Sequence, residues 1–555
     1  MTRNRTRRFT TATLLLALLP LALWGCSTPT SDHNANTSPL VVPTDRVAHI
    51  DAILAAYRNG DDARVQALLK ALSTDDPAAE PLARLTQTPV SAPATQPDDE
   101  PLTTHRISEA GLAYTEWRHP SARPTDRTRA IGATSLAAGE AARFSAVADT
   151  EVSGSSRLAE AMPLPAATPA PGRAEPAVDR AMPVPLPGPD APPAADAPAP
   201  AAGTLTAGSL DDLADPQPMV DFAKTFADGH PIADRFTGLN FALRIQDADG
   251  RPLPNAIVLL HDTADTTFAR LTTAPDGRAA VSTGHDDISD TAELFATVYH
   301  PGALPYTTSV HPDTPATHTI TVPYATPDPV DRLDLSFVVD CTGSMGDEIR
   351  YLQAELKDVV ATVAAKHPDT DIRLSLVVYR DTTDDYVVRV SDWTRDVDAF
   401  LGLLDKQSAG GGGDYPEAVD QALRAAAGLD WDPDPSAAAR VVFLVGDAPS
   451  HQEHMPSALD AVDELRASGV RVYPVLGSQD GDEPQLLFRA AALLTGARHL
   501  FLTDDSGVGG SHVEPEQGAS FDVEPLNALM ARILDAELTG QPIEKGDAII
   551  RRVDG

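Results

Sequence analysis

This sequence contains little cysteine and comparatively little positive charge. Only two of its 555 residues are cysteines, which excludes a disulfide-stabilised scaffold. If Cys26 is chemically modified, Cys341 remains as a lone thiol, which we expect to be a small packing residue. The 43 Lys and Arg residues face 80 Asp and Glu residues, for a formal net charge of −37. Proteins that bind nucleic acid need a basic face, so we expect no nucleic acid among the partners.

Common catalytic motifs are also missing. Residues 410–413 are four glycines, but no Lys-Ser/Thr pair follows to complete a phosphate-binding loop. Residues 451–454, His-Gln-Glu-His, lack the spacing of a zinc protease. No serine, histidine and aspartate order typical of a hydrolase is legible. We therefore expect a protein that is not an enzyme, with a hydrolase of unrecognised site as an alternative.

The longest apolar run is short and lies at the N-terminus. Four arginines within the first eight residues precede an apolar stretch from Ala12 to Trp24, which is too short to cross a bilayer and predicts a secretory signal. The following Gly25-Cys26 completes a segment that resembles the bacterial lipoprotein box. The resemblance implies a signal peptide over 1–25, lipidation of Cys26, and membrane attachment in the cell envelope. Ser27 favours the outer membrane of a Gram-negative bacterium. An ordinary signal peptide with an incidental cysteine is the alternative.

The region after the signal is predicted to be a tether, a small helical unit and a long spacer. Residues 26–43 form the tether, and the apolar spacing within 44–75 predicts two short helices in a hairpin. Proline and alanine dominate 163–202, a composition that cannot bury a core. We expect 76–215 to be a disordered Pro/Ala-rich spacer, with 109–117 as a candidate local binding segment.

Residues 236–325 have the pattern of short β-strands. Alternating apolar residues are separated by Asp-Gly pairs at 249–250 and 276–277, which are typical turn signals. The pattern predicts a small antiparallel β-sandwich. Residues 247–256 resemble the turn of carboxypeptidase-regulatory or bacterial Ig-like modules, which implies a stalk.

Residues 332–540 alternate between strand and helix patterns. Apolar runs near 335–339, 372–379, 441–446, 470–476 and 499–502 are separated by segments with helical spacing. Such alternation predicts an α/β fold with a mainly parallel, Rossmann-like sheet and helices on both faces. We expect residues 541–555 to form a C-terminal tail.

Three polar segments lie where this fold would place a ligand. Asp340, Thr342 and Ser344 directly follow a buried strand, at the sheet edge where open α/β proteins bind ligands. A carboxylate and hydroxyls suit Mg²⁺ better than Zn²⁺. The glycine run leads to Asp414 and Glu417, and another apolar strand ends at Asp447.

These segments together resemble the metal-ion-dependent adhesion site of von Willebrand factor type A (vWA) domains, whose first loop reads Asp-x-Ser/Thr-x-Ser. Many members carry threonine in the second loop. Here that loop, Asp-Tyr-Pro-Glu from Asp414 to Glu417, is similar to the Asp-x-Pro-Glu loop of integrin β subunits, which implies Glu417 as the ligand and Asp414 in support.

The resemblance implies a Mg²⁺ site, with Mn²⁺ or Ca²⁺ as alternatives, formed by Asp340, Thr342, Ser344, Glu417 and Asp447. Mg²⁺ usually keeps water ligands, so we expect some carboxylates to act through water. By the same resemblance, an open coordination position would accept an exposed Asp or Glu of a protein partner. The acids Asp347 and Glu348 have two interpretations: a second cation site, or the first turn of a helix, where negative side chains suit the helix dipole.

The sequence thus predicts a lipid-anchored envelope protein that acts as an adhesion or interaction module. The alternative is an envelope scaffold or assembly adaptor whose vWA domain acts with little or no metal. A degenerate domain that binds no metal also remains open.

Overall fold

The structure is a computed structural model of the chain. It describes residues 44–58, 61–72, 76, 78–87, 102–109, 112–119, 200–226, 229–264, 266–288, 293–311, 317–413, 415–432, 438–478, 481–515 and 519–554. The predicted signal peptide, Cys26, the tether, the Pro/Ala-rich run up to residue 199 and Asp414 lie outside these residues. In the part that is described, no helix is both long and apolar enough to cross a membrane.

The elements before residue 330 are mostly short. The first are helices α1 (Thr44–Arg58), α2 (Asp62–Ala71) and α3 (Ala79–Gln87), strands β1 (Thr103–Glu109), β2 (Leu112–Arg118) and β3 (Thr206–Leu210), and helix α4 (Gln217–Ala223). Seven strands follow: β4 (Asn240–Gln246), β5 (Ile257–His261), β6 (Thr267–Thr272), β7 (Arg278–Ser282), β8 (Leu294–Tyr299), β9 (Tyr306–Val310) and β10 (His318–Thr321).

After residue 330 the helices are interspersed with strands. They are β11 (Arg332–Asp340), α5 (Ile349–Lys366), β12 (Asp371–Tyr379), β13 (Val388–Ser391), α6 (Val397–Leu404), α7 (Val419–Ala427), β14 (Ala438–Gly446), α8 (Met455–Ala467), β15 (Val470–Leu476), α9 (Glu483–Thr495), β16 (His499–Leu502), β17 (Phe521–Pro525), α10 (Leu526–Thr539) and β18 (Arg551–Val553).

The largest sheet is mixed, so the prediction of a mainly parallel sheet was wrong. Its eleven strands run in the order β1-β2-β13-β12-β11-β14-β15-β16-β3-β17-β18. The five strands in the middle of this order, β12-β11-β14-β15-β16, pair in parallel. The strands on both sides of them pair antiparallel. The central strands are apolar on both faces, as buried parallel strands are. The outer strands come from distant parts of the chain, and a local sequence pattern does not show that they belong to this sheet.

Helices cover both faces of the large sheet, as predicted. One face packs against α5, α6 and α10 around Phe337, Phe443 and Ile533. The other face packs against α7, α8 and α9 around Val338, Val442 and Leu487. Successive residues of β11 and β14 therefore contribute to opposite cores, as the two-residue repeat of a strand requires. The central strands are fixed from both sides, which makes their C-terminal ends a rigid base for a site.

Residues 240–321 form two smaller sheets, with strand orders β10-β4-β7 and β6-β5-β8-β9. Both contribute to one apolar cluster that includes Phe241, Leu260 and Val298. The pairing of β10 with β4 is parallel, and all other pairs in these sheets are antiparallel. The likeness of this segment to Ig-like or carboxypeptidase-regulatory modules stays a prediction.

Helices α1 to α3 pack on the four-stranded sheet. The buried helix residues Ile50, Leu54 and Leu82 contact Ile257 and Tyr299 of the sheet. Ile257 and Tyr299 lie on the face of the sheet that points away from the core shared by the two small sheets. Helix α2 begins at a capped end, because the Asp61 side chain accepts a hydrogen bond from the backbone N–H of Arg64 at 3.0 Å.

The predicted spacer and tail were drawn too broadly. Helix α3 and strands β1, β2 and β3 lie within 76–215, and β18 lies within the supposed tail 541–555. The candidate binding segment 109–117 includes the last residue of β1 and most of β2; these strands pair antiparallel, and β2 also pairs with β13. Strands β1, β2, β3 and β18 pair within the large sheet, and α3 packs on the four-stranded sheet. A local sequence pattern does not show such tertiary contacts.

Candidate metal site

Three loops meet at the C-terminal ends of β11 and β14. These strands pair in parallel with Val339 opposite Val445, so Asp340 and Gly446 end side by side. Backbone hydrogen bonds tie the glycine run to the first loop, from Gly410 N to Cys341 O (3.0 Å) and from Gly343 N to Gly411 O (3.2 Å). The second loop is joined to the third by the backbone N–H of Glu417, which donates to Pro449 O at 2.9 Å. The fold therefore brings the predicted loops together.

The first loop forms a compact hydrogen-bonded unit. Asp340 is fully buried. Its Oδ1 atom accepts the backbone N–H of Thr342 at 2.8 Å and the Thr342 hydroxyl at 2.7 Å. The hydroxyls of Thr342 and Ser344 lie 3.0 Å apart. The second oxygen of Asp340, Oδ2, is buried and has no hydrogen-bond partner.

Two more carboxylates are buried beside this loop. Glu417 is 3% exposed and Asp447 is 5% exposed. Each has one buried oxygen without a hydrogen-bond partner, Oε2 in Glu417 and Oδ1 in Asp447. Buried carboxylate oxygens in folded proteins usually have a partner, so these three favour a bound cation or water.

The electrostatics of the three carboxyls favour a positive charge between them. Burial raises the pKa of Asp340 to about 6, and hydrogen bonds from Thr342 partly offset this effect. Burial, together with the charge of Asp340, raises the pKa of Asp447 to about 7 and that of Glu417 to about 10. Without a cation these groups repel one another and hold protons, so a cation would bind in competition with protons.

Glycines make the close approach of the loops possible. Gly412 has a φ of +72°, and a Cβ built there would lie 3.1 Å from Oε1 of Glu417 and 3.6 Å from Cβ of Thr342. At Gly446 a Cβ would overlap the Tyr379 hydroxyl and lie 3.4 Å from Oδ2 of Asp340. A side chain at either position would fill the space around the carboxylates.

The donor set fits a hard cation held partly by hydroxyls. Within the described residues, no three His, Cys, Asp or Glu side chains are grouped as a metal site by themselves. A cation at this edge would therefore depend on Thr342 and Ser344 and on water in addition to carboxylates. Such a mixed oxygen set is the kind that Mg²⁺ accepts.

The acids after the first loop lie at the start of helical structure. Asp347 is in the first turn of the 3₁₀ helix Ser344–Asp347, and Glu348 is the N-cap residue of α5, which begins at Ile349. Asp347 is exposed. Glu348 is buried and accepts the backbone N–H of Ser478 at 3.2 Å, while His512 Nε2 lies 3.2 Å from the same Oε1. Glu348 thus connects two loops, and its side chain makes no capping hydrogen bond to α5.

Two aspartates near the site were not predicted. Asp384 accepts the backbone N–H of Gly412 at 2.8 Å through Oδ2 and so holds the glycine run. Asp381 is buried, and the ring Nε2 of His451 lies 2.9 Å from its Oδ1. Both follow Tyr379, the last residue of β12, at the same sheet edge as the other loops. Their position after a parallel strand was the available signal.

Family comparison identifies the central part of the large sheet. Residues 334–485 match the family model described as the von Willebrand factor A domain. The match begins in β11 and ends in α9, and it includes all three loops of the candidate site. The vWA assignment made from the motifs is confirmed for these residues.

Two curated relatives share part of the sequence. Alpha-protein kinase vwkA of Dictyostelium discoideum is 30% identical over 146 residues, which are 26% of this chain and 23% of the relative. A putative ariadne-like RING finger protein of Acanthamoeba polyphaga mimivirus is 27% identical over 190 residues, 31% of this chain and 18% of the relative. The chain therefore spans less than a quarter of the length of either relative.

Solved structures give weaker similarities. The conserved hypothetical protein BatB from Bacteroides thetaiotaomicron has a TM-score of 0.21 at 13% identity, covering 26% of this chain and 66% of that protein. The pilus adhesin SpaC from Lactobacillus rhamnosus GG has a TM-score of 0.24 at 12% identity, covering 37% of this chain and 29% of that protein. Scores this low establish no common overall fold.

Proposed function

We propose that this chain is a lipid-anchored protein of the cell envelope whose vWA domain binds a protein partner through a divalent cation. One observation carries the proposal: Asp340, Glu417 and Asp447 are buried at one sheet edge, each with an oxygen that has no hydrogen-bond partner. Arg380 lowers the pKa of Asp340, but burial outweighs this effect, so the cluster still favours an added positive charge.

Within this proposal, Asp340, Thr342 and Ser344 hold the ion, and Glu417 and Asp447 complete or orient its surroundings. Asp414 supports the second loop. Mg²⁺ is the preferred ion, with Mn²⁺ or Ca²⁺ as substitutes, since all the donors are oxygens. The bound ion would supply a Lewis acid for an exposed Asp or Glu of the partner. This proposal includes no enzymatic step, because the chain only positions the oxygen ligands that hold the cation.

The proposed location follows from residues 1–26. The basic and apolar N-terminus, ending in Gly25-Cys26, supports export and lipidation in the outer membrane of a Gram-negative bacterium. Lipidation of Cys26 would give the membrane contact, and the Pro/Ala-rich residues after it would act as a spacer.

Titration of the full mature chain with Mg²⁺ and Mn²⁺ by calorimetry tests the metal site. Wild type should bind one ion and melt at a higher temperature with metal. Asp340→Ala should lose binding while remaining folded by circular dichroism. Asp369→Ala is the matched control, because Asp369 is an exposed carboxylate of the same domain and its loss should change nothing.

A second experiment tests the partner. The mature chain would be used to capture envelope proteins with Mg²⁺ or with EDTA, and beside Asp340→Ala. The proposal expects a partner that is lost in EDTA and lost with the variant. Full binding in EDTA contradicts a metal-dependent mechanism.

A metal-independent scaffold or assembly adaptor is the second candidate. It is favoured by the finding that, among the described residues, no three His, Cys, Asp or Glu side chains form a metal site alone. Wild type that binds no divalent cation, but captures the same partner in EDTA, would support this function.

A further inference from the structure

Tyr379 lies beside the candidate metal site but belongs to none of its three loops. It is the last residue of β12, pairs in register with Asp340 of β11, and is fully buried. Its ring packs in the core on the side of the large sheet covered by α7, α8 and α9, together with Val338 and Leu444. Because side chains alternate along a strand, Asp340 and Gly446, each two residues further on, lie on that same side. The tyrosine therefore approaches the Asp340 carboxylate from the body of the sheet.

The hydroxyl of Tyr379 reaches from β12 across β11 to β14, the next strand in the sheet. A Cβ built on Gly446 of β14 would overlap this hydroxyl and would lie 3.4 Å from Oδ2 of Asp340. The missing side chain at Gly446 thus leaves the space in which the phenol hydroxyl and the Asp340 carboxylate meet.

This hydroxyl is buried and has no hydrogen-bond partner, as is true of Oδ2 of Asp340, Oε2 of Glu417 and Oδ1 of Asp447. Burial and the negative charges of Asp340, Asp447 and Glu417 raise the pKa of Tyr379 well above its usual value, so the phenol keeps its proton. A phenol can donate one hydrogen bond, whereas an ionised carboxylate only accepts. Of these four unpartnered groups, the phenol is therefore the one that can donate to the others.

Asp340 has hydrogen bonds to only one of its two oxygens. Thr342 donates twice, and both bonds end on Oδ1. Burial raises the pKa of Asp340 to about 6, whereas Thr342 and, to a smaller extent, the Tyr379 hydroxyl lower it. The hydroxyl thus favours the ionised carboxylate, which is the form that binds a cation. Carboxylates that hold metal ions are themselves held by hydrogen bonds from neighbouring groups.

We propose that Tyr379 is a positioning residue of the metal site, whose hydroxyl donates to Oδ2 of Asp340 when a divalent cation is bound. With Thr342 on one oxygen and Tyr379 on the other, the carboxylate would be held in a single orientation toward the ion. This inference rests on the proposed cation binding. It adds to the three loops a residue of β12 that acts from the interior of the fold.

Calorimetric titration of the full mature chain with Mg²⁺, for wild type and Tyr379→Phe, tests the inference. Phenylalanine keeps the ring and removes only the hydroxyl, and we expect Mg²⁺ to bind about 10- to 100-fold more weakly. In EDTA the variant should unfold at the same urea concentration as wild type or a higher one, since the lost hydroxyl had no partner. A purely structural role for the hydroxyl would leave the Mg²⁺ affinity unchanged.

Tyr473→Phe is the matched control. Tyr473 is a buried tyrosine of β15 in the same sheet, and its hydroxyl donates to Glu537. Removing that hydroxyl leaves a buried carboxylate with one donor fewer, so the variant should be less stable in urea. Its Mg²⁺ affinity should equal that of wild type, because Glu537 lies in α10 and not in the site.

Absorbance in the near ultraviolet distinguishes a positioning residue from a direct ligand. A phenol that coordinates the ion directly would lose its proton and show the absorbance of tyrosinate during a Mg²⁺ titration of wild type, and we expect none. The inference is overturned if tyrosinate forms, or if Tyr379→Phe binds Mg²⁺ as tightly as wild type. Wild type that binds no divalent cation would overturn the proposed function too, so the two failures are distinguishable.

Discussion

Thr342 donates two hydrogen bonds to the same oxygen of Asp340, one from its backbone N–H at 2.8 Å and one from its hydroxyl at 2.7 Å. Because both bonds end on Oδ1, the carboxylate is fixed while Oδ2 is left without a partner. The spacing of two residues after the strand end produces this arrangement directly. The same hydroxyl lies 3.0 Å from that of Ser344, so the three side chains form one oriented unit.

Replacing Thr342 by valine should weaken Mg²⁺ binding while leaving the domain folded. Valine has the same shape but lacks the hydroxyl that orients Asp340 and faces Ser344. Loss of one such oriented group should reduce metal affinity by about tenfold or more. Calorimetric titration measures the change, and Thr342→Ser should restore most of the affinity. Equal affinity for valine and threonine would show that the hydroxyl has no role in the site.

Glu417→Gln should have opposite effects on stability and on metal binding. Burial and neighbouring acids raise the pKa of Glu417 to about 10, so the group is unfavourable as an anion when no cation is present. Folding near pH 7 must therefore protonate Glu417, whereas the amide needs no proton, and we expect the metal-free variant to unfold at a higher urea concentration than wild type. Its Mg²⁺ affinity should fall, because a neutral amide neutralises no charge on the ion. Lower stability of the metal-free variant would contradict this account of the cluster.

The metal-free protein should lose stability as the pH rises. The pKa values of Asp340 and Asp447 are raised to about 6 and about 7 in the folded state, mainly by burial. A pKa raised by folding stabilises the protonated fold, fully below the unfolded value of about 4 and progressively less as the pH rises through the folded value. The melting temperature in EDTA should therefore fall between pH 5 and pH 8, by roughly 2–4 °C for each kcal/mol lost.

Mg²⁺ should flatten this pH dependence, because the cation replaces the protons. Thermal unfolding across the same pH series, with EDTA or Mg²⁺, measures both effects. Glu417→Gln, Asp340→Asn and Asp447→Asn together provide the control without titrating groups at the site. A melting temperature in EDTA that rises from pH 5 to pH 8 would show that the three carboxyls are not the groups that govern stability there.

The loops of the site at the strand ends were predictable, because a run of apolar residues identifies each strand and oxygen-bearing residues follow it directly. Buried runs such as residues 335–339 and 441–445 identify strands, and polar residues directly after them fall at one sheet edge. Asp384 was missed because its role is to accept a backbone N–H from Gly412, 28 residues away. Side-chain support of a distant backbone leaves no periodic signal in a sequence.

The outer strands of the large sheet were missed for a related reason. Strand β3 lies between β16 and β17, although about 290 residues separate it from β16 and about 310 from β17 in the chain. Its sequence, Thr-Ala-Gly-Ser-Leu, has no strong strand preference and follows a Pro/Ala-rich run. Burial in the assembled sheet makes it a strand, which is tertiary context overriding local propensity.

Gly446→Ala should destabilise the domain, and Tyr379→Phe should rescue it. A Cβ at Gly446 would overlap the Tyr379 hydroxyl, so the variant forces one of the two strands to shift. Overpacking of this kind costs about 1–3 kcal/mol. Urea unfolding of the two single variants and the double variant measures the coupling. Additive effects in the double variant would show that the hydroxyl is not what excludes a side chain at this position.

The chain before residue 325 should be necessary for a stable vWA domain. Glu355 is fully buried in α5 and accepts three backbone N–H groups, from Gly203 (2.7 Å), Thr204 (2.9 Å) and Leu205 (2.9 Å). A fragment 325–555 lacks these donors and also lacks β3. Losing three hydrogen bonds to a charged group and a buried strand should lower the free energy of unfolding by about 3 kcal/mol or more.

A synthetic peptide of residues 200–212 should bind this fragment and raise its melting temperature in a saturable way, since it restores both the donors to Glu355 and the strand between β16 and β17. The control peptide carries Leu205→Asp and Ala207→Asp, which place charges in a fully buried part of the core and should abolish the effect.

In the full chain, Glu355→Ala should lower stability by a similar amount, whereas Glu293→Ala, at an exposed position, should not. A fragment that is as stable as the full chain and does not respond to the peptide would show that β3 is dispensable. That result would also place the whole vWA domain within residues 325–555.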